Sequence, residues 1–243
     1  MKKLSIAIGS IAALMLSALS ICAQTQSRDD LINEIAVKRA ELLRLEETFL
    51  SPSAEDRAKY ADFLTQPDTG LIRLLPREKY DADVKQANKY KLTLRGGGAY
   101  YSFVRLTHEY GYGSDISLYD GWLSTGFAGA NYGIMTTLGN ASLESITVDT
   151  PAAQLLATHT PPSEEPKARI EQTRWGKGEM IEGTTYGERL RMGLDTTYLL
   201  RSIDYDTSDV LIAFRVVRVD TDGSAIILWK QLKKYPVPKL ARN

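Results

Sequence analysis

Apolar positions recur every three to four residues between 27 and 50, and mostly every two residues from Leu92 onward. The first period belongs to a helix and the second to strands. Within 27–50, Leu31, Ile35, Leu42, Leu45 and Phe49 share one face, interrupted by Lys38, so the spacing predicts a helix with one apolar seam. Ser27 is placed to cap it, Asp29 and Asp30 suit the positive end of its dipole, and Glu34 and Lys38 form an i,i+4 pair. Ser51-Pro52 restarts the chain, and a second helix is predicted through Ala54, Ala58, Ala61 and Leu64, making 27–66 a helical hairpin. The seam has two destinations, the rest of the protein or a second copy in a short coiled coil. Fewer than three clean heptads favour the first.

The turn signal Gln66-Pro67-Asp68-Thr69-Gly70 marks a change of pattern. Residues 71–75 read as a strand closed by Pro76, and the charged stretch 77–91 as a connector with room for a helical turn. Strands are predicted at 92–94, 100–106, 114–119, 122–127 and 133–138. The third and fourth form a hairpin about Asp120-Gly121, a pair suited to the positive φ angles of a two-residue turn. Residues 71–150 thus form a β-rich block. Thr150-Pro151 begins a short helix through Leu155 and Leu156, and the Pro-rich stretch 160–167 is either a linker between domains or one long surface loop. A second β block spans 168–235, with strands at 197–205, 210–219 and 225–232, the last two joined through Asp220-Thr221-Asp222-Gly223. The strand at 210–219 is apolar at nearly every residue, as in a strand buried on both faces, but Arg215 interrupts it. A buried arginine needs a carboxylate, and Asp204 is the candidate. Residues 236–243 form a basic tail. The predicted fold class is α+β: a helical hairpin followed by predominantly antiparallel sheet in one or two blocks.

Met1-Lys2-Lys3 precedes an apolar stretch from Leu4 to Ala23, and a polar run begins at Gln24. This layout predicts a secretory signal peptide at 1–23 and an exported protein, periplasmic or extracellular. Two rivals exist. Leu19-Ser20-Ile21-Cys22 resembles a bacterial lipobox, which would lipidate Cys22, although bulky Ile21 stands where a small residue is wanted. The stretch also has about the 20 residues needed to span a bilayer, so the membrane enters only through this segment, uncleaved or lipidated.

Composition narrows the chemistry. Cys22 is the only cysteine, so a chain that loses its signal has no disulfide, thiol nucleophile or thiolate metal ligand. Its core must hold it together, which about 220 residues can do. Of 30 Lys and Arg, Lys2 and Lys3 leave with the signal, giving 28 against 30 acidic residues. That balance argues against a nucleic-acid partner. No cofactor fingerprint or metal-ligand spacing occurs: His108-Glu109 opens like a zinc-protease motif, but position 112 is Tyr112 rather than the second histidine. No serine stands in a nucleophile-elbow or Ser-x-x-Lys context.

The segment 96–133 is the least ordinary, with nine of the 18 glycines and six of the 13 tyrosines in 38 residues. Glycine permits close backbone approach, and tyrosine offers a flat apolar face with a polar tip. Tyr110, Tyr112, Tyr119 and Trp122 are therefore the candidate rim of a groove that binds a glycan, a peptide or another envelope protein. A catalytic alternative is a hydrolase with His108 as general base, oriented by Glu109 or Asp115. A third reading is a structural subunit that self-associates through the helix at 27–50.

Overall fold

The computed structural model describes residues 27–84 and 91–241. The predicted signal peptide with Cys22, and Arg242 of the tail, lie outside the described residues. The chain divides into two units, Met1–Leu45 and Glu46–Asn243.

Helix α1, Arg28–Leu50, begins as expected. The Ser27 hydroxyl accepts from the Asp30 amide at 3.0 Å, and the Asp30 carboxylate accepts from the Ser27 amide at 3.2 Å, a reciprocal cap. Glu34 and Lys38 pair at 3.6 Å on the surface. All five seam residues, Leu31, Ile35, Leu42, Leu45 and Phe49, are exposed, and the residues of the helix that are buried are Glu46 and Leu50, which the apolar spacing did not single out. The second predicted helix is divided into α2, Ala54–Lys59, and α3, Ala61–Leu64, because Tyr60 leaves helical geometry at φ −110° and ψ 19°. Its cap is Ser53 in a box with Asp56, two residues beyond the expected Ser51.

The second unit is α+β and antiparallel. Strands β1 (Thr69–Leu74), β5 (Tyr132–Thr137), β9 (Thr197–Asp204), β10 (Ser208–Val219) and β11 (Ala225–Lys234) form a sheet in the order β1-β11-β10-β9-β5. Strands β2 (Tyr100–Tyr101), β3 (Ile116–Tyr119), β4 (Trp122–Ser124) and β8 (Arg189–Arg191) form a smaller sheet, and β6 (Glu179–Ile181) pairs with β7 (Thr184–Tyr186). Strands from both predicted β blocks lie in the large sheet, so the Pro-rich stretch between them connects two helices of one unit. These are α5, Pro151–Thr158, and α6, Glu165–Lys177; the remaining helix, α4, is Arg77–Tyr80.

Strand alternation sorts the core into two layers. One face of the large sheet carries Leu199, Ile203, Leu211, Ala213, Ile226 and Leu228, packed on Leu156 of α5 and Trp175 of α6. The other carries Tyr198, Leu200, Ile212, Phe214, Ile227 and Trp229, packed on Tyr101, Ile116, Leu118 and Leu123 of the small sheet.

Four strand-level expectations are corrected. Residues 92–94 make one isolated bridge, Leu92 with Asp81, because the buried Glu46 carboxylate takes the Thr93 amide at 2.6 Å. The strand predicted over 100–106 ends at Tyr101, where the Asp115 carboxylate takes the Phe103 amide at 2.7 Å and curls the chain into a turn. The second β block opens with a helix, α6, whose buried face is only Ala168 and Trp175, too sparse for a helical stripe to show in the sequence. Arg215 does not meet Asp204: its guanidinium bonds the Asn140 side chain at 2.5 Å, the Ala141 carbonyl at 3.0 Å and Asp195 at 3.3 Å. Among the described residues, the fully buried arginine is Arg201, paired with Asp209.

The Asp120-Gly121 hairpin is present, with φ of 50° and 70°. The run Gly96-Gly97-Gly98 does something different: it lets chain segments touch. A Cβ on Gly97, at φ +60°, would lie 2.3 Å from the Asp81 amide nitrogen, just beyond α4. Gly97→Ala is expected to cost about 1–3 kcal/mol, from left-handed strain plus backbone displacement. Urea denaturation would show it as a lower midpoint at an unchanged slope; an unaltered midpoint would refute this packing.

Candidate ligand-binding site

The glycine run also sets the floor of a pocket. A Cβ on Gly96 would lie 2.6 Å from the Tyr110 ring and 2.8 Å from the Tyr100 ring, so only glycine admits both rings. Tyr100, on β2, meets Tyr110 edge-to-face at 4.8 Å between centroids and Phe127 at 5.2 Å. Two guanidinium groups stack on these rings. Arg77, at the start of α4, lies 5.6 Å from the Tyr100 centroid and 5.8 Å from that of Tyr110, and Arg95 lies 4.6 Å from Tyr110. Arg77, Arg95, Tyr100, Tyr110, Gly111, Tyr112, Phe127 and Ala128 enclose about 480 Å³, a volume typical of small-ligand sites.

Of the four predicted rim residues, the structure brings two together here. Tyr110 is half-buried in the wall, and Tyr112 is 73% exposed at the edge. Tyr119 and Trp122 face one another across the β3–β4 hairpin and do not line this pocket. Trp122 is half-buried between Arg189 and Arg191 of β8, each 4.6 Å from its ring. None of the four is in the core. Sequence reasoning missed Arg77 and Arg95 as site residues; both fall in the charged stretches flanking the glycine run, where nothing in the spacing distinguishes them from solvated charges.

The catalytic candidates lie elsewhere and apart. The His108 ring packs edge-to-face on Tyr101 at 5.3 Å, and Nε2 sits 2.8 Å from the Arg73 carbonyl. A carbonyl only accepts, so Nε2 carries the proton. Burial lowers the His108 pKa against the opposing pull of that hydrogen bond. Glu109 is engaged by Arg105, and its carbonyl accepts from the Ser114 hydroxyl at 2.5 Å. Asp115 is fully buried, bonded to the Phe103 amide and, at 3.2 Å, to the Ser102 hydroxyl.

The charge that Asp204 feels comes from a residue 89 positions earlier in the chain, Asp115. Along one face of β9, Tyr198 and Leu200 are apolar, whereas Ser202 and Asp204 are polar. The layer between the sheets therefore turns polar at one end, where Ser102, Asp115, Thr125, Ser202 and Asp204 are all buried. Among the described residues, Asp115 Oδ1, Asp204 Oδ2 and Thr125 Oγ1 have no hydrogen-bond partner. Burial, and then the neighbouring Asp115, push the Asp204 carboxyl up to about 7. Burial also raises Asp115, opposed by Ser202, Phe103 and Ser102. At 0% and 3% exposure these carboxyls are closed to substrate.

Among the described residues, no group of three or more His, Cys, Asp or Glu side chains is placed to hold a metal ion, and no helix is long and apolar enough to cross a membrane. The basic residues of the C-terminal region are spread out: Lys230 bonds the Glu144 carbonyl at 3.0 Å, and Lys239 pairs with Asp206 at 3.3 Å. No known protein family matches the chain, no curated protein matches it, and no solved structure matches its fold.

Proposed function

We propose that this is an exported envelope or periplasmic protein that binds rather than catalyses, and that its partner, a glycan, a peptide or another envelope protein, is met at the Tyr110–Tyr112 pocket. One observation carries the reading: three tyrosines, a phenylalanine and two arginines from four separate stretches of chain converge on one opening. Flat rings with polar tips supply contact area at low entropic cost, as in other recognition surfaces. Tyr119 and Trp122, first expected on the same rim, are a separate aromatic patch and play no part in this pocket.

The test is a binding titration against immobilised glycans and peptides. Tyr110→Ala with Tyr112→Ala is expected to weaken capture by at least about tenfold, the effect of losing anchoring aromatic residues. His108→Ala is expected to leave it intact. Retained binding in the tyrosine double variant, with thermal stability preserved, would remove this pocket from consideration.

A further inference from the structure

We infer that the pocket takes an acidic saccharide, its ring laid on Tyr112 and its carboxylate or other anionic group held by Arg77 and Arg95. The inference rests on the binding reading above and narrows it to one ligand class.

Charge comes first. The lining residues include two guanidinium groups and no carboxylate. Arg77 gives its Nε–H to Asp81 at 2.9 Å, which fixes it in place, while its terminal nitrogens retain further N–H donors. Arg95 is exposed. Both present a face to aromatic rings. That mode uses the face of the guanidinium and leaves its edge for an anion, where bidentate pairing is strongest.

Shape comes second. Tyr112 makes no ring contact with any described residue and is largely exposed, so a face remains open to the C–H side of a sugar. Tyr100 and Tyr110 bring hydroxyls as well as rings, matching a ligand that is polar around its edge and apolar on its face. A peptide would favour an open strand edge for main-chain pairing. Here the walls are side chains from separate segments, and the adjoining strand, β2, is two residues long.

The experiment uses matched probes: a galacturonate trimer, its methyl ester, and a tetraglutamate peptide, each titrated against the protein by calorimetry at low salt. The acid trimer is expected to bind, the ester to bind at least about tenfold more weakly, and Arg95→Ala to cause a loss of similar size, the effect of one charge-assisted hydrogen bond. Arg95 bears on no core contact, so that variant folds; Arg95→Lys should regain part of the loss. Equal binding of acid and ester would overturn the acidic class and leave a neutral-glycan pocket standing. Preference for tetraglutamate would overturn the saccharide in favour of a peptide. If no probe binds at millimolar concentration, or if Arg95→Ala changes nothing, the inference fails. In the first of those cases, unaltered binding of the wider glycan and peptide panel would show whether the parent reading survives.

Discussion

Replacing Asp204 with Asn is expected to stabilise the protein by about 2–4 kcal/mol near pH 8 and to change little near pH 3. The Asp204 carboxyl is raised from 3.8 to about 7 by burial and by Asp115. Between those values the folded state holds a proton that the unfolded chain has released. Stability therefore falls as pH rises through that window, by up to ~1.4 kcal/mol per unit, and levels off above about pH 7. Below the unfolded pKa both states are protonated and the penalty vanishes. Asn matches the protonated acid in shape and cannot ionise, so it removes the slope. Burial raises Asp115 in the same direction, so the variant keeps part of the pH dependence. The measurement is the difference in unfolding free energy between wild type and Asp204→Asn across pH 3–9. A flat difference would mean that Asp204 is hydrated in solution. The effect is large because total stability is normally only about 5–15 kcal/mol.

What the sequence revealed and what it concealed follow from the range of the interactions. Strands β9, β10 and β11 were legible because their faces are filled by residues adjacent in sequence, such as Leu211, Ile212 and Ala213. Helix α6 was not, since only Ala168 and Trp175 face inward and Ile170 is exposed. The turn after Tyr101 was hidden for another reason: its amide is taken by a carboxylate twelve residues downstream, which no local period encodes. For the candidate site, the glycine and tyrosine enrichment singled out 96–133, and Tyr110 and Tyr112 of that segment share a pocket. Its charge did not show, because Arg77 and Arg95 meet the Tyr110 ring from positions 33 and 15 residues earlier in the chain, which no local spacing encodes. The influence of Asp115 on Asp204 was equally invisible, since the two carboxyls are 89 residues apart in the chain.

Asp209→Ala is expected to cost about 3–5 kcal/mol, because it breaks a buried ion pair on the helix-facing side of the sheet. Arg201 and Asp209 are 1% and 2% exposed, and the pair is bidentate, Nε to Oδ1 at 2.5 Å and Nη2 to Oδ2 at 2.8 Å. The remaining terminal nitrogen gives its proton to the Leu156 carbonyl at 2.7 Å, in the last turn of α5, and the Tyr235 ring closes over the guanidinium at 3.2 Å. Removing the carboxylate would strand a cation that water cannot reach. Removing both charges is a different perturbation. Arg201→Met with Asp209→Leu is expected to recover much of the loss by apolar packing, but not all of it, because the Leu156 carbonyl then loses its donor. A double-mutant cycle in urea at neutral pH separates these terms. If Asp209→Ala lowered the unfolding free energy by less than about 1 kcal/mol, the pair would have to be solvated, and α5 would not be held to β9 through this arginine.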